Sequence, residues 1–195
     1  MEKYIEQREK LEKNIKELDG RSSTYSAIRL CVFIAAVACL IIGIYDNRGI
    51  VTVAGVVLAV VFVALVFIHG KLSEELEYKK AKSEVLRRYI ERFGEGWKKF
   101  DDNGSQYIES EDLVAKDMDL LGPNSLYQFI CVAGTEDGRR SLAKSIKDPE
   151  YDIQTIEMRQ KAIKELADKP EFSMDFETLG VKANTGKKKK YTADE

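Results

Sequence analysis

The stretch Phe100 to Leu113, FDDNGSQYIESEDL, carries the side chains of this chain that come closest to a metal-binding pattern. A working calcium loop presents oxygen ligands at its first, third, fifth, seventh, ninth and twelfth positions. With Asp101 as the first, those places fall on Asp101, Asn103, Ser105, the Tyr107 carbonyl, Glu109 and Asp112. The sixth position requires glycine for a sharp turn and is Gln106 here. The twelfth requires a glutamate long enough to bind through both oxygens and is Asp112. An exit helix is also needed, and Leu113 to Lys116 is too brief to supply one. The stretch is therefore read as a turn whose acids are solvated, with a calcium sensor kept as an outlying alternative.

Other chemistry is sparse. No GxxxxGK[ST] run is present to cradle a phosphate. The one histidine, His69, makes a histidine-based metal or catalytic site untenable. Cys31, Cys39 and Cys131 lack zinc-ligand spacing. Asp117 and Asp119 form a carboxylate pair, better explained as acids on the solvent face of a short strand. No residue is assigned as catalytic, and no metal or cofactor is expected in this chain. Lys187, Lys188, Lys189 and Lys190 could contact phosphates, and Arg139, Arg140 and Arg159 could contact DNA or a protein partner. The simpler alternatives are a solvated lysine run and arginines that hold a helix–helix joint.

The elements that must position these residues begin with an apolar block. The chain has 195 residues and a formal net charge of -2, but its apolar residues concentrate between Ala27 and Ile68. AIRLCVFIAAVACLIIGIY and IVTVAGVVLAVVFVALVFI flank DNRG. Each half is about the 20 residues that a membrane-crossing helix requires. The first holds only Arg29, near its edge, and the second holds no charge. Helices apolar all round need a large core or a bilayer to cover them. The expectation is a transmembrane hairpin over 27–69, with spans 27–45 and 50–68 and a turn at Asp46, Asn47, Arg48 and Gly49. Only Arg48 stands in the turn, whereas Lys13, Lys16, Arg21, Arg29, Lys71, Lys79, Lys80 and Lys82 flank the spans. Basic residues favour the cytoplasmic side, so both termini are expected there, on a cell membrane. That compartment is reducing, which disfavours structural disulfides.

On either side lie two amphipathic segments, 1–26 and 70–96. Tyr4, Arg8, Leu11, Ile15 and Leu18 alternate spacings of four and three, as in a coiled coil. Leu72, Leu76, Ser83, Leu86, Ile90 and Phe93 keep a similar register, interrupted at Lys79. They are expected to pair as an antiparallel stalk. Gly20 with Arg21, Ser22 and Ser23 is expected to break the first helix, and Gly94 and Gly96 to end the second. Residues 97–116 read as an irregular linker. Residues 117–180 read as a compact helical segment. DMDLL is expected to be extended, and Asn124 or Ser125 to cap SLYQFICVAG. EDGRRSLAKSIK follows, then a helix capped by Asp152 with a stripe of Ile153, Ile156, Gln160, Ile163 and Leu166 or Ala167. A last helix ends at Gly180, and 181–195 is expected to be a flexible tail.

The segment Asp117 to Gly180 resembles the start of the core, or lever, domain of the MutS family of DNA mismatch-repair ATPases. The resemblance rests on an ordered set: Asp119-Leu120, Ser125-Leu126, Gly138-Arg139-Arg140 with Leu142, Pro149, Ile156, Arg159-Gln160 and Glu165-Leu166. Ser145 stands where that family usually has tryptophan. The preceding hairpin is similar to that of a membrane-anchored bacterial branch of the family. The resemblance implies an all-α fold: a transmembrane helical hairpin with an antiparallel helical stalk, followed by a small helical MutS-core-like domain. It also implies a lever or scaffold within DNA-binding, ATP-dependent machinery, with the ATP and Mg sites of the family absent and no enzymatic activity in this chain. The implied partners are the membrane, DNA through the full-length architecture, and a second copy in a homodimer. Phe100 and Tyr107 would then anchor the junction between stalk and core. The competing expectation is a membrane-tethered helical adaptor with no DNA role.

Overall fold

The computed structural model describes the chain apart from residues 46–48, 110–114, 116, 150 and 194–195, and describes 186–193 by backbone only. The described residues are helical with no strand. Helices α1 (Glu2–Tyr45) and α2 (Gly49–Arg92) are followed by α3 (Leu126–Ile130), α4 (Glu136–Lys147), α5 (Ile153–Ala167) and α6 (Pro170–Ala193). The chain divides into two compact units, one of residues 9–80 and one of 1–8 with 81–195.

The unit of residues 9–80 is an antiparallel helix pair. Its contacts run in opposite directions along the two helices: Gly43 meets Thr52, Gly55 meets Leu40, and the Phe33 and Phe62 rings lie 5.3 Å apart. Further along, Ser22 Oγ is 3.5 Å from His69 Nε2, and Lys80 donates to Asp19 at 2.9 Å. The partly or fully covered positions Leu11, Ile15, Leu18, Ser22, Tyr25, Arg29, Val32, Ala36, Cys39 and Gly43 repeat the four-and-three spacing without a break. That period keeps one face of a helix turned towards its neighbour. Small residues bring the backbones close in the apolar half. A Cβ at Gly43 would stand 2.6 Å from the Thr52 nitrogen, and one at Gly55 would stand 2.8 Å from Leu40 Cγ. Both glycines are required by that approach.

α1 passes through Gly20, where a break is expected from the sequence. A glycine in a helix interior costs about 1 kcal/mol against alanine, too little to end a helix supported on both sides. Thr24 Oγ1 also donates to the Gly20 carbonyl at 3.0 Å, inside the helix. The turn at Asp46, Asn47 and Arg48 lies outside the described residues, and Gly49 opens α2.

The other unit builds on the last turns of α2, which end at Arg92, before the Gly94 and Gly96 punctuation. Val85 and Leu86 there are fully buried. A core of Leu121, Tyr127, Cys131 and Ala143 is covered by Tyr107, Ile108, Ala133, Leu142 and Ile146. The capping residues act as their types dictate. Ser125 accepts from Gln128 N, Thr135 from Gly138 N and Asp152 from Thr155 N, each satisfying an orphan donor of a first turn.

Three expectations fail here. DMDLL is not extended: Met118 and Asp119 lie in a turn, with Asp119 at φ 50, and Leu120 N donates to the Ala115 carbonyl. Short apolar runs do not distinguish strand from turn when no partner strand exists. α3 stops at Ile130, because the Phe129 and Cys131 carbonyls accept from Arg92 instead. The last helix does not end at Gly180. α6 continues to Ala193, where a flexible tail is expected from the sequence, and Asn184 Nδ2 donates to the Gly134 carbonyl. Gly180 serves close packing rather than termination: a Cβ on Gly134 would fall 2.6 Å from Gly180 Cα.

Candidate functional site

The stretch that opens as a calcium loop is a lock around Tyr127. Asn103 Oδ1 accepts from Ser105 N at 3.0 Å, closing a tight side-chain turn. Gly104 follows with φ 77, a left-handed conformation, and a Cβ there would lie 2.7 Å from the Tyr127 ring. Conformation and proximity thus both select glycine at this position. The Asn103 carbonyl accepts from Gly122 N at 2.8 Å, tying the loop to the turn before α3. Tyr107 lies 6.0 Å from Tyr127 by ring centroid, and its hydroxyl donates to Glu136 at 2.7 Å. Trp97 meets Phe129 edge-on at 5.1 Å. The buried Gln128 amide donates to the Phe100 carbonyl at 2.6 Å and the Lys98 carbonyl at 3.3 Å. The Arg92 guanidinium lies 5.3 Å from the Phe100 ring centre. Residues 97–109 are therefore irregular, with two short 3-10 turns, Gly96–Lys99 and Ser105–Tyr107, but fastened; 110–114 and 116 lie outside the described residues.

Asp102 corrects the expectation that the acids of this stretch solvate a turn. Its carboxylate forms an ion pair with Arg139, 3.1 Å from Nε, and accepts from the Tyr127 hydroxyl at 3.4 Å. Arg139 Nε also donates to the Ala133 carbonyl at 3.2 Å. Asp101 is exposed, Glu109 faces Lys147 at 3.5 Å, and Asp112 lies outside the described residues. Among the described residues no cluster of His, Cys, Asp and Glu could hold a metal ion. The Cys131 thiol is pushed up chiefly by burial, so it is held in the protonated, unreactive form. Burial also raises the Tyr127 hydroxyl, with smaller contributions from Cys131 and Asp102.

Beside this lock is a polar cavity of about 220 Å³, lined among others by Glu84, Arg87, Arg88, Asp102 and Arg139. Glu84, Arg87, Arg88, Asp102 and Arg139 are all engaged in ion pairs there. Arg87 grips Glu84 through two nitrogens at 2.6 and 2.7 Å and Glu91 at 2.6 Å, and Arg88 adds a bond to Glu84 at 3.1 Å. Burial would raise the Glu84 carboxyl, but the bonds and charges of Arg87 and Arg88 together outweigh it and hold the group low. A second cavity of about 520 Å³ is apolar, lined by Tyr4, Tyr89, Phe93, Phe129, Ile130 and Val132 around Arg92.

The candidate arginines differ in their settings. Arg139 is turned inward to Asp102, whereas its neighbour Arg140 is exposed. Arg159 is exposed on α5. Lys187, Lys188, Lys189 and Lys190 belong to the α6 backbone, and their side chains lie outside the described residues. No protein-family model, curated protein or solved structure matches this chain.

Sequence reasoning misses the Asp102–Arg139 pair and the Gln128 tether. Spacing alone could not find them, because the partners lie 37 and 28 residues apart (Asp102 to Arg139, Phe100 to Gln128).

Proposed function

We propose that this chain is a membrane-anchored, non-catalytic helical scaffold, with both termini in the cytoplasm, that holds a small helical domain at the membrane face. The observation that carries the anchor is the covering of residues 27–68. α1 and α2 each contain a stretch long and apolar enough to cross a bilayer, with 11% and 6% of those stretches buried. Ile34, Ile41, Val53, Val60 and Phe67 stand exposed around a seam of small residues. An aqueous surface of that composition would aggregate, whereas lipid covers it. The ion-paired Glu84, Arg87, Arg88, Asp102 and Arg139 and the raised Cys131 thiol support a scaffold over an enzyme.

Within that reading, the MutS-like motif order supports a specific version: the domain of residues 117–180 acts as a lever coupled to an ATP-using part supplied elsewhere, on DNA. Exposed Arg140 and Arg159 support it, whereas the inward Arg139 supports the adaptor without a DNA role. The full chain in nanodiscs, titrated with duplex and mismatched DNA at rising salt, separates the two. The lever version predicts binding that weakens steeply with salt as phosphate contacts are lost. Absence of binding at low salt removes DNA and leaves the adaptor.

A further inference from the structure

α5 stands apart from every other helix outside the apolar block. It buries none of its 15 residues, although it carries an apolar stripe. Ile153 is 71% exposed, Ile163 66% and Leu166 46%. Ile153, Ile156, Gln160, Ile163 and Ala167 follow spacings of three and four, the seam pattern of a coiled coil, and among the described residues all but the half-buried Ile156 stand exposed. Glu157 and Lys164 flank it, each one residue past Ile156 and Ile163. Among the described residues neither side chain has an ion-pair or hydrogen-bond partner.

The charges state what could cover this seam. In a parallel pair of identical helices, Arg159 would face Lys164 of the second copy and Asp152 would face Glu157, both like-charge contacts. In an antiparallel pair, flanking positions of the same type meet each other. Aligning Gln160 with Ile163 of the second copy, and Ile156 with Ala167, sets Glu157 beside Lys164 of the second copy. The two-fold axis then repeats that contact, giving two complementary pairs from two residues. An isologous interface requires such self-complementarity.

We propose that α5 is a self-association surface, which pairs antiparallel with α5 of a second copy of this chain. The seam supplies the buried apolar contact, and Glu157 and Lys164 select the antiparallel direction.

The test uses charge exchange in the full chain, reconstituted in liposomes as donor- and acceptor-labelled copies. Energy transfer between wild-type copies is expected. Glu157→Lys and Lys164→Glu each turn both pairs into repulsions, and each should weaken association on the order of tenfold while leaving helicity unchanged. The decisive sample mixes the two variants. Across the mixed pair, position 157 of either copy again faces an opposite charge at position 164 of the other, so transfer between the variants is restored. Ile163→Asp abolishes transfer in every combination. The proposal is overturned by absent transfer in the wild type. It is equally overturned by transfer indifferent to all three substitutions, which would place association elsewhere, or by a mixture no stronger than either variant alone.

Discussion

Two regions of this molecule solve the same problem of holding helices together, by opposite means. In residues 9–80 the contact is a repeat: one period, small residues at Ala36, Gly43 and Gly55, and, between 27 and 68, apolar side chains turned outward. In the unit that contains residues 81–195, the contacts are individual. Gly104 fits under Tyr127, Gln128 reaches two carbonyls, and Asp102 reaches across to Arg139. The difference follows from the surroundings each region requires. In the proposed membrane setting, packing gains nothing from hiding an apolar outer surface, so close backbone approach and shape hold the pair. In a fold surrounded by water most buried polar groups find a partner, and those partners fix one arrangement.

The contrast is most exposed to failure at Tyr127. Its ring is fully buried, so Tyr127→Ala should cost about 4 kcal/mol through the cavity it leaves. Thermal unfolding followed by the near-ultraviolet signal of Trp97 should show the loss, while the helicity of α1 is retained. Concerted melting of both regions would show that they are not separate in stability.

Gly43→Leu should act in the opposite place. A side chain there meets the Thr52 backbone, and overpacking of this kind costs about 2 kcal/mol. Spin labels on the two apolar segments should separate at a lower detergent fraction than in the wild type, with no change at Trp97.

Gly20→Ala probes the same helix with a smaller effect of opposite sign. Nothing lies within 4 Å of a Cβ at Gly20, so alanine should stabilise the helix by about 1 kcal/mol. A loss of stability would mean that Gly20 has a packing role like that of Gly43.

The smallest effect concerns pH. Glu177 is buried against α2, and burial raises its carboxyl despite the Arg92 charge and a hydrogen bond from Tyr89. The folded chain thus holds this proton to higher pH than the unfolded chain. The stability that protonation contributes is fully present below the ordinary carboxylate value and is lost as pH rises through the raised one. Glu177→Gln should flatten that slope. Denaturant midpoints measured from pH 4 to 7 on both proteins would reveal it, and identical slopes would remove Glu177 as the cause.

The regions also differ in how far they can be read from sequence. The apolar helices, their antiparallel order and the stripes from Leu11 to Leu18 and from Leu72 to Ile90 are periodic, and periodicity survives without knowledge of the fold. The helix starts at Ser125, Thr135 and Asp152 involve residues three apart, so capping chemistry is equally local: Ser125 and Asp152 are legible as caps. Gly20, Gly94, Gly104 and Gly180 share one letter and have four different outcomes, because what a glycine does depends on what approaches it. FDDNGSQY misleads for the same reason. Its acids are spaced as ligands, but Asp102 is turned towards Arg139, whose approach depends on α4 packing over Tyr127.

The most direct test of the anchor is accessibility. With Cys31, Cys39 and Cys131 replaced, a cysteine is introduced at Arg48 or at Arg140 and intact cells are treated with an impermeant thiol reagent. A hairpin with cytoplasmic termini predicts labelling at position 48 in intact cells, and at position 140 only after the membrane is opened. Labelling of position 140 from outside, or of position 48 from the cytoplasmic side alone, would contradict it.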